Sequence, residues 1–227
     1  MTNTDKVKLA ARNNALWCDG MCRAHGQPTE FTDQLWICRG TPPRYHSNLT
    51  TLQPNAIEAV KQEMPGGFKD GFYDIDANSL GYKCLFEANW IWRDVAPGST
   101  ALRWERIATD DGLLAWEQGW ALGDSEADNA PRQFSPSLLA DPTAAFMAAH
   151  QGDEMVAGCI LNVTDAVVGL SNTFSRIDGS EFWRDLPGVA HLAFPSYPIV
   201  GYERGEDLEH ALAAGFQAIG PLRVWVS

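Results

Sequence analysis

The sequence predicts an α+β fold, a mixed sheet flanked by helices, on three observations. Three strand-like runs, AAFMAAHQ (144–151), EMVAGCILNV (154–163) and AVVGLSNTFS (166–175), follow one another with only Gly152-Asp153 and Thr164-Asp165 between them. Such short breaks read as the turns of an antiparallel meander. After them, strand-like and helix-like stretches alternate to the end of the chain, the pattern of crossover connections. The third observation is a loose internal repeat, which places a shortened version of this order in the first hundred residues.

The elements follow in chain order. ALRWERIAT (101–109) alternates like a strand, and DDGLLAWEQGWALG (110–123) has helical spacing, with Asp110 or Asp111 as its expected N-cap. SEADNAPRQFSPS (125–137) reads as a loop. Beyond the meander, SEFWRDLPGVAHLAF (180–194) reads as a helix that Pro187 is expected to kink or interrupt. YPIVGYE (197–203) is a short buried strand, and EDLEHALAAG (206–215) a helix ending at Gly215. FQAIGPLRVWV (216–226) is a closing strand with a bulge expected at Gly220-Pro221. The order is β-α-β-β-β-α-β-α-β.

The repeat rests on two anchors. Ser47 and Asn48 of YHSNLT (45–50) fall on Ser171 and Asn172 of GLSNTF (169–174). Gly81 and Tyr82 of LGYKCLFEANWIW (80–92) fall on Gly215 and Phe216 of AGFQAIGPLRVWV (214–226). Between the anchors each copy has a helix-like segment (55–64; 180–192) and a short aromatic strand (GFYDI, 71–75; VGYE, 200–203). The sequence therefore predicts a degenerate half over 12–95 and a full domain over 99–227, whose two sheets pack through their aromatic strands into one compact unit.

Composition narrows the function classes. The 227 residues carry a formal net charge of −12, which argues against nucleic-acid partners, since phosphate binding needs clustered Lys and Arg. An acidic surface suits a cationic substrate as well as plain solubility. No stretch is apolar for long enough to span a bilayer, so no membrane association is expected. No secretory signal is visible, and five cysteines are too few for a disulfide scaffold, so a cytoplasmic protein with reduced thiols is expected.

This order of elements resembles the GNAT superfamily of N-acetyltransferases. The resemblance is carried by the closing strand–helix–GF–strand unit IVGYERGEDLEHALAAGFQAIGPLRVWV, preceded by the meander and a helix. It covers residues 99–227 as a whole domain, with 12–95 as a second copy, as in tandem GNAT proteins. The resemblance implies acetyl-CoA as co-substrate, a small-molecule amine as acceptor, and no metal; a homodimer is compatible with it. It also implies that the fourth strand of the domain and the next one splay apart around the pantetheine. A Q/R-x-x-G-x-G/A loop then binds the pyrophosphate at a helix N-terminus.

On this pattern the cofactor-binding candidates are Asn172, Phe174, Ser175, Arg176, Gly179 and Ser180. The stretch FSRIDGSEFW (174–183) has one glycine where the pattern has two or more, and Asp178 and Glu181 bring negative charge to an anion site. It reads as a turn more readily than as a phosphate cradle. The catalytic candidates are Glu203 as general base, with His210 or Tyr202 as proton donor. A tyrosine common in the family four residues before the Gly of the GF pair is Ala211 here. Two functions are open: an acyl-CoA-dependent N-acyltransferase, and a catalytically inactive GNAT-fold module that binds a metabolite or protein.

The remaining features have competing readings. Asn48 and Asn172 bond either to pantetheine amides or to backbone at a bulge. Cys18, Cys22 and His25, at i, i+4 and i+7, make with Cys38 either a zinc set or a buried thiol face. DIDANS (74–79) lacks the sixth-position glycine and twelfth-position glutamate of a calcium loop. Of the nine tryptophans, Trp90, Trp92 and Trp225 are expected to interlock the two copies, while Trp116, Trp120 and Trp183 either border an acceptor cleft or fill the core.

Overall fold

A computed structural model describes residues 1–95, 98–122, 131–164 and 166–227. Part of the 125–137 loop and Asp165 of the second meander turn lie outside the described residues. The strands are β1 (Thr29–Phe31), β2 (Leu35–Cys38), β3 (Leu49–Thr51), β4 (Gly67–Asp70), β5 (Lys83–Arg93), β6 (Arg103–Arg106), β7 (Ala144–Gln151), β8 (Glu154–Val163), β9 (Val168–Ser175), β10 (Ile199–Glu203) and β11 (Gln217–Val226). The helices are α1 (Asn3–Ala24), α2 (Ile57–Glu63), α3 (Asp110–Trp120), α4 (Gly179–Ala193) and α5 (Gly205–Ala213).

The described strands form one sheet, not the two expected, in the order β1-β2-β3-β4-β11-β5-β10-β9-β8-β7-β6, because β5 and β11 pair edge to edge and join the halves. At its centre β5 and β11 run antiparallel from Gln217 opposite Trp92 to Val226 opposite Lys83, with irregularities at Ala218/Gly220 and Val224/Trp225. The first of these is the bulge expected beside Pro221. Outward from this pair both flanks repeat the same sense of pairing. β11 meets β4 antiparallel, and β4 meets β3 parallel; β5 meets β10 antiparallel, and β10 meets β9 parallel. The last strand of each half therefore lies in the other half's flank.

Alternation along the strands puts apolar side chains on both faces, so helices cover both. Ala145, Met147 and Ala149 face α4 and α5, with Phe182, Trp183, Leu186 and Ala211. Ala144, Phe146 and Ala148 point the other way, towards Trp17 and Met21 of α1 and Leu113 and Trp116 of α3. Trp116 and Trp183 are fully buried, which assigns them to the core. Trp90, Trp92 and Trp225 are buried in the central strands; Trp90 and Trp92 pack with Val200, Ile219 and Leu222.

Several local expectations are corrected. GFYDI (71–75) is not a strand; the strand is β4, one turn earlier at 67–70. Asp70 accepts hydrogen bonds from the amides of Phe72, Asp74 and Ile75, so this stretch closes a carboxylate-centred loop instead of a ladder. α1 begins at Asn3, capped by Thr2 and Asp5 in a reciprocal box, so residue 12 lies inside a helix. Thr109, not Asp110 or Asp111, caps α3; the two aspartates occupy its first turn, where the helix dipole favours them. Pro187 does not interrupt α4, which runs on to Ala193. A proline removes one helical hydrogen bond, and here Leu186, Val189 and Ala190 on both sides of it are held by burial.

α4 also carries a buried carboxylate. Asp185 is 3% exposed and accepts from the Ala101 and Leu102 amides at 2.8 and 3.0 Å and from Trp104 Nε1 at 2.9 Å. It ties the start of β6 to the helix. Replacing Asp185 with Ala leaves three donors without their acceptor, each a desolvation loss of about 1–3 kcal/mol if it stays buried. The expected result is a melting temperature lower by roughly 10 °C. A thermal melt of Asp185→Ala no lower than wild type would refute that role.

Candidate functional site

Two parallel strands that should pair along their length part early. The register between β9 and β10 covers Val168 opposite Ile199 and Gly169 opposite Val200, and no further pair follows. At the base of the gap the strands are close: a Cβ on Gly201 would lie 2.9 Å from the Leu170 carbonyl oxygen, so glycine is what lets β10 approach there. Past it, Ser171, Asn172 and Thr173 on β9 face Tyr202 and Glu203 on β10 across a cavity of about 670 Å³. Asn172 has a left-handed backbone (φ 49°) within an irregularity of the β8–β9 ladder, where Gly158 pairs with Phe174 and Ile160 with Ser171.

The far wall comes from the first half and from α1: Ser47, Asn48, Thr50 and Lys69, with Asn14, Trp17 and Cys18. Ser47-Asn48 and Ser171-Asn172, the two Ser-Asn pairs of the sequence alignment, thus line one cavity. They are not equivalent in backbone. Asn48 directly precedes β3 and is held by backbone bonds on both sides, its amide donating to the Gly67 carbonyl at 3.0 Å and its carbonyl accepting from the Cys38 amide. Tyr45 and Trp120, packed edge to face with centroids 5.5 Å apart, line another part of it, so Trp120 borders the cavity as one of its two readings has it.

The charges inside are few. Glu203 keeps part of its surface open to the cavity but is enclosed enough that desolvation, with the Asp207 charge adding to it, pushes its carboxyl up to about 8. His46 is pushed down to about 4, chiefly by burial, with the Lys69 ammonium acting in the same direction. Lys69 is 6% exposed; its Nζ donates to Asn14 Oδ1 and lies 4.4 Å from the Tyr202 ring centroid. Tyr202 is wedged by Trp90 (5.6 Å, edge to face) and Phe86 (6.4 Å, stacked), which fixes its ring.

The turn from β9 into α4 is arranged differently. Asp178 caps the helix, its Oδ1 accepting from the Ser180 amide at 2.9 Å and also from the Ser180 hydroxyl. The amides of Glu181 and Phe182 donate to the Asp178 carbonyl, that of Ile177 to Ser175 Oγ, and that of Arg176 to the Val156 carbonyl. These hydrogen bonds to Ser180 hold the Asp178 carboxyl below the usual range. The Arg176 side chain is bound to the Met155 carbonyl (3.2 Å) and faces Glu154 (3.7 Å). Phe174 is slotted against Gly158 and Gly119 and packs edge to face on Trp116.

Of the predicted site residues, Asn172, Tyr202 and Glu203 line the cavity. Phe174, Ser175, Arg176, Gly179 and Ser180 do not; they build core and turn. His210 lies over Gly179, where a Cβ would meet its Nδ1 at 2.3 Å, so the imidazole packs on the α4 N-terminus and away from Glu203's cavity. Cys18, Cys22 and Cys38 sit in an apolar cluster with Ala15, Trp36 and Leu52, while His25 Nε2 contacts the Gln133 carbonyl at 2.7 Å. Among the described residues no three His, Cys, Asp or Glu side chains are placed to hold a metal ion. Lys69 and His46 are residues that sequence reasoning missed.

No family model and no curated protein matches the sequence. Solved structures do. A GCN5-related N-acetyltransferase from Kribbella flavida is 9% identical and superposes with a TM-score of 0.58 over 96% of this chain and 95% of its own. A putative acetyltransferase of the GNAT family from Novosphingobium aromaticivorans is 8% identical, with a TM-score of 0.54 over 88% and 91%. The chain has the GNAT fold. A conserved protein of unknown function from Staphylococcus epidermidis shares it at 12% identity, with a TM-score of 0.64 over 88% and 94%. The expected mixed sheet and flanking helices of a GNAT protein are therefore present.

In GNAT terms the β9/β10 gap is the splayed pair, and it fits a pantetheine-like arm. It is open, and Ser171 Oγ is buried beside it without a hydrogen-bond partner among the described residues. The α4 turn does not fit a pyrophosphate. The amides of Arg176, Ile177, Ser180, Glu181 and Phe182 are bonded already within the protein, and a carboxylate stands at the helix N-terminus. Ala211, at the position of the family's tyrosine, is fully buried against the α4–α5 side of the sheet.

Proposed function

We propose that the protein is an N-acyltransferase acting on a small amine, with the acyl group delivered as a thioester through the β9/β10 gap. The observation that carries this reading is Glu203: a carboxyl at the open end of β10, inside a cavity, whose affinity for protons is raised into the range a general base needs. Its carboxylate takes a proton from the acceptor's ammonium. The freed lone pair attacks the acyl carbon; the C–N bond forms as the C–S bond breaks, the departing thiolate takes the Tyr202 hydroxyl proton, and the surplus proton on the new amide nitrogen returns to the tyrosinate. Tyr202 suits that role by position, since its ring is clamped beside Glu203. The Glu203 proton then leaves to solvent.

Acetyl-CoA is the donor the fold suggests, and the self-capped α4 turn predicts that its nucleotide adds little. Calorimetric titration should therefore give acetyl-CoA and a truncated acetyl-pantetheine thioester dissociation constants within about threefold of each other. Acyl transfer from either to an amine panel would be followed by thiol release. A dissociation constant at least a hundredfold lower for acetyl-CoA would show that the turn binds the diphosphate after all. Failure of both donors to bind or react would sink the acyltransferase reading. The same self-capped turn and Ala211 are what favour the second reading, a non-catalytic GNAT-fold module whose ligand occupies this cavity.

A further inference from the structure

Lys69 is a cation without a counter-ion. It is 6% exposed, lines the cavity, and among the described residues pairs with no carboxylate. Its nitrogen meets one amide oxygen, from Asn14, and the face of Tyr202. A buried ammonium is costly to desolvate unless something negative meets it, and in a chain of net charge −12 carboxylates to pair with are plentiful. The cavity has one of them, Glu203, yet the two make no ion pair. Glu203's proton affinity follows desolvation, Asp207 and Arg204. With Glu203 largely protonated and His46 uncharged near neutral pH, the cavity interior is positive while the protein as a whole is negative.

We propose that Lys69 receives a carboxylate carried by the acceptor, so that the acceptor is an amino-acid-like compound with its amino group at Glu203 and its carboxylate at Lys69. This rests on the acyl-transfer reading of the same cavity. The surrounding groups suit such a ligand. Thr50, Ser47 and Asn48 offer hydrogen bonds beside the ammonium, and Leu85, Phe86 and Trp120 give an apolar wall for a side chain. A single ammonium matches a single carboxylate. A diphosphate, carrying more charge, would call for further cations, as clustered Arg and Lys provide at phosphate sites.

The test is calorimetric titration with the standard L-amino acids and with their carboxamides, without any acyl donor. At least one free amino acid should bind, and its amide about tenfold or more weakly. Lys69→Met should abolish that preference, and Lys69→Arg should keep most of it. If Lys69→Met does not fold by circular dichroism, Asn14→Ala, which frees the ammonium from its amide, should weaken the preference instead. Equal binding of acid and amide, no binding of any amino acid, or an unchanged preference in the variants would overturn the proposal. So would displacement by inorganic pyrophosphate that needs Lys69, which would assign the cation to the donor. Amino-acid binding without acyl transfer from any thioester would refute the acyltransferase reading and leave Lys69 in place. Transfer to uncharged amines that Lys69→Met does not impair would do the reverse.

Discussion

Glu203→Gln is expected to lower kcat/KM by about 10²- to 10⁴-fold, the usual contribution of a positioned general base. The loss should be accompanied by a change in pH dependence. With the Glu203 carboxyl pushed up to about 8, roughly a tenth of molecules carry the base at pH 7, and activity should rise with pH and level off above about 8. In Glu203→Gln that limb should vanish. Asp207 raises the Glu203 pKa through its charge, so Asp207→Asn should move the limb towards lower pH while leaving the base in place. Stability should go the other way from activity. In the unfolded chain Glu203 ionises from its ordinary value of 4.5, whereas in the fold it stays protonated until about 8. Between those values the unfolded state binds fewer protons, so this group makes the fold less stable as pH rises. Glu203→Gln is therefore expected to melt no lower than wild type at pH 8, and a variant that is inactive because it is misfolded would melt lower. An unchanged pH–rate limb in Glu203→Gln would remove Glu203 from the chemistry.

The sequence revealed the second half of this molecule better than the first, for physical reasons. β7 and β8 coincide with AAFMAAHQ and EMVAGCILNV because a short turn with Gly152 at φ 63° marks the break between them. α5 ends as read because Gly215, at φ 90°, takes the left-handed position after the Ala214 cap. In the first half the strands β1, β3 and β4 are three or four residues long, too short for alternation to register, and the aromatic GFYDI next to β4 drew the strand one turn too far. The place of Tyr202 and Glu203 in the cavity wall was legible because a chain-local pattern put them at a strand end. Lys69 was not, because its neighbours Asn14, His46 and Tyr202 are distant in sequence and nothing local distinguishes a lysine in a cavity from one in water. The phosphate-loop candidates show a related limit: the sequence placed them in the turn before α4, but not the hydrogen bonds by which Asp178 caps its own helix.

Residues 99–227 expressed alone are expected not to fold. The meander, α4, β10, α5 and β11 look complete as a sequence, yet β10 and β11 do not touch in the sheet; β5 stands between them. Without it, the edges that Gln217–Val226 and Ile199–Glu203 present to Lys83–Arg93 lose their partners, and unpaired central edges invite aggregation. The same deletion removes Trp90, Ile91 and Trp92, all at most 1% exposed, together with the Val7, Ala10 and Ala11 face of α1 that covers the two tryptophans. Each lost tryptophan alone is worth about 3–5 kcal/mol, so two approach or exceed the roughly 5–15 kcal/mol that holds a domain together. We therefore propose that the two halves arose as copies that now exchange their last strands, a reading supported by the matching sense of pairing outward from β5 and β11 and by the Ser-Asn pairs that face one cavity. Co-expression of 1–95 with 99–227 should rescue a soluble, cooperatively melting complex that neither piece gives by itself. A 99–227 fragment that is monomeric on size exclusion and melts cooperatively would show instead that β10 and β11 close on each other, and that the first half is an addition to a self-sufficient domain.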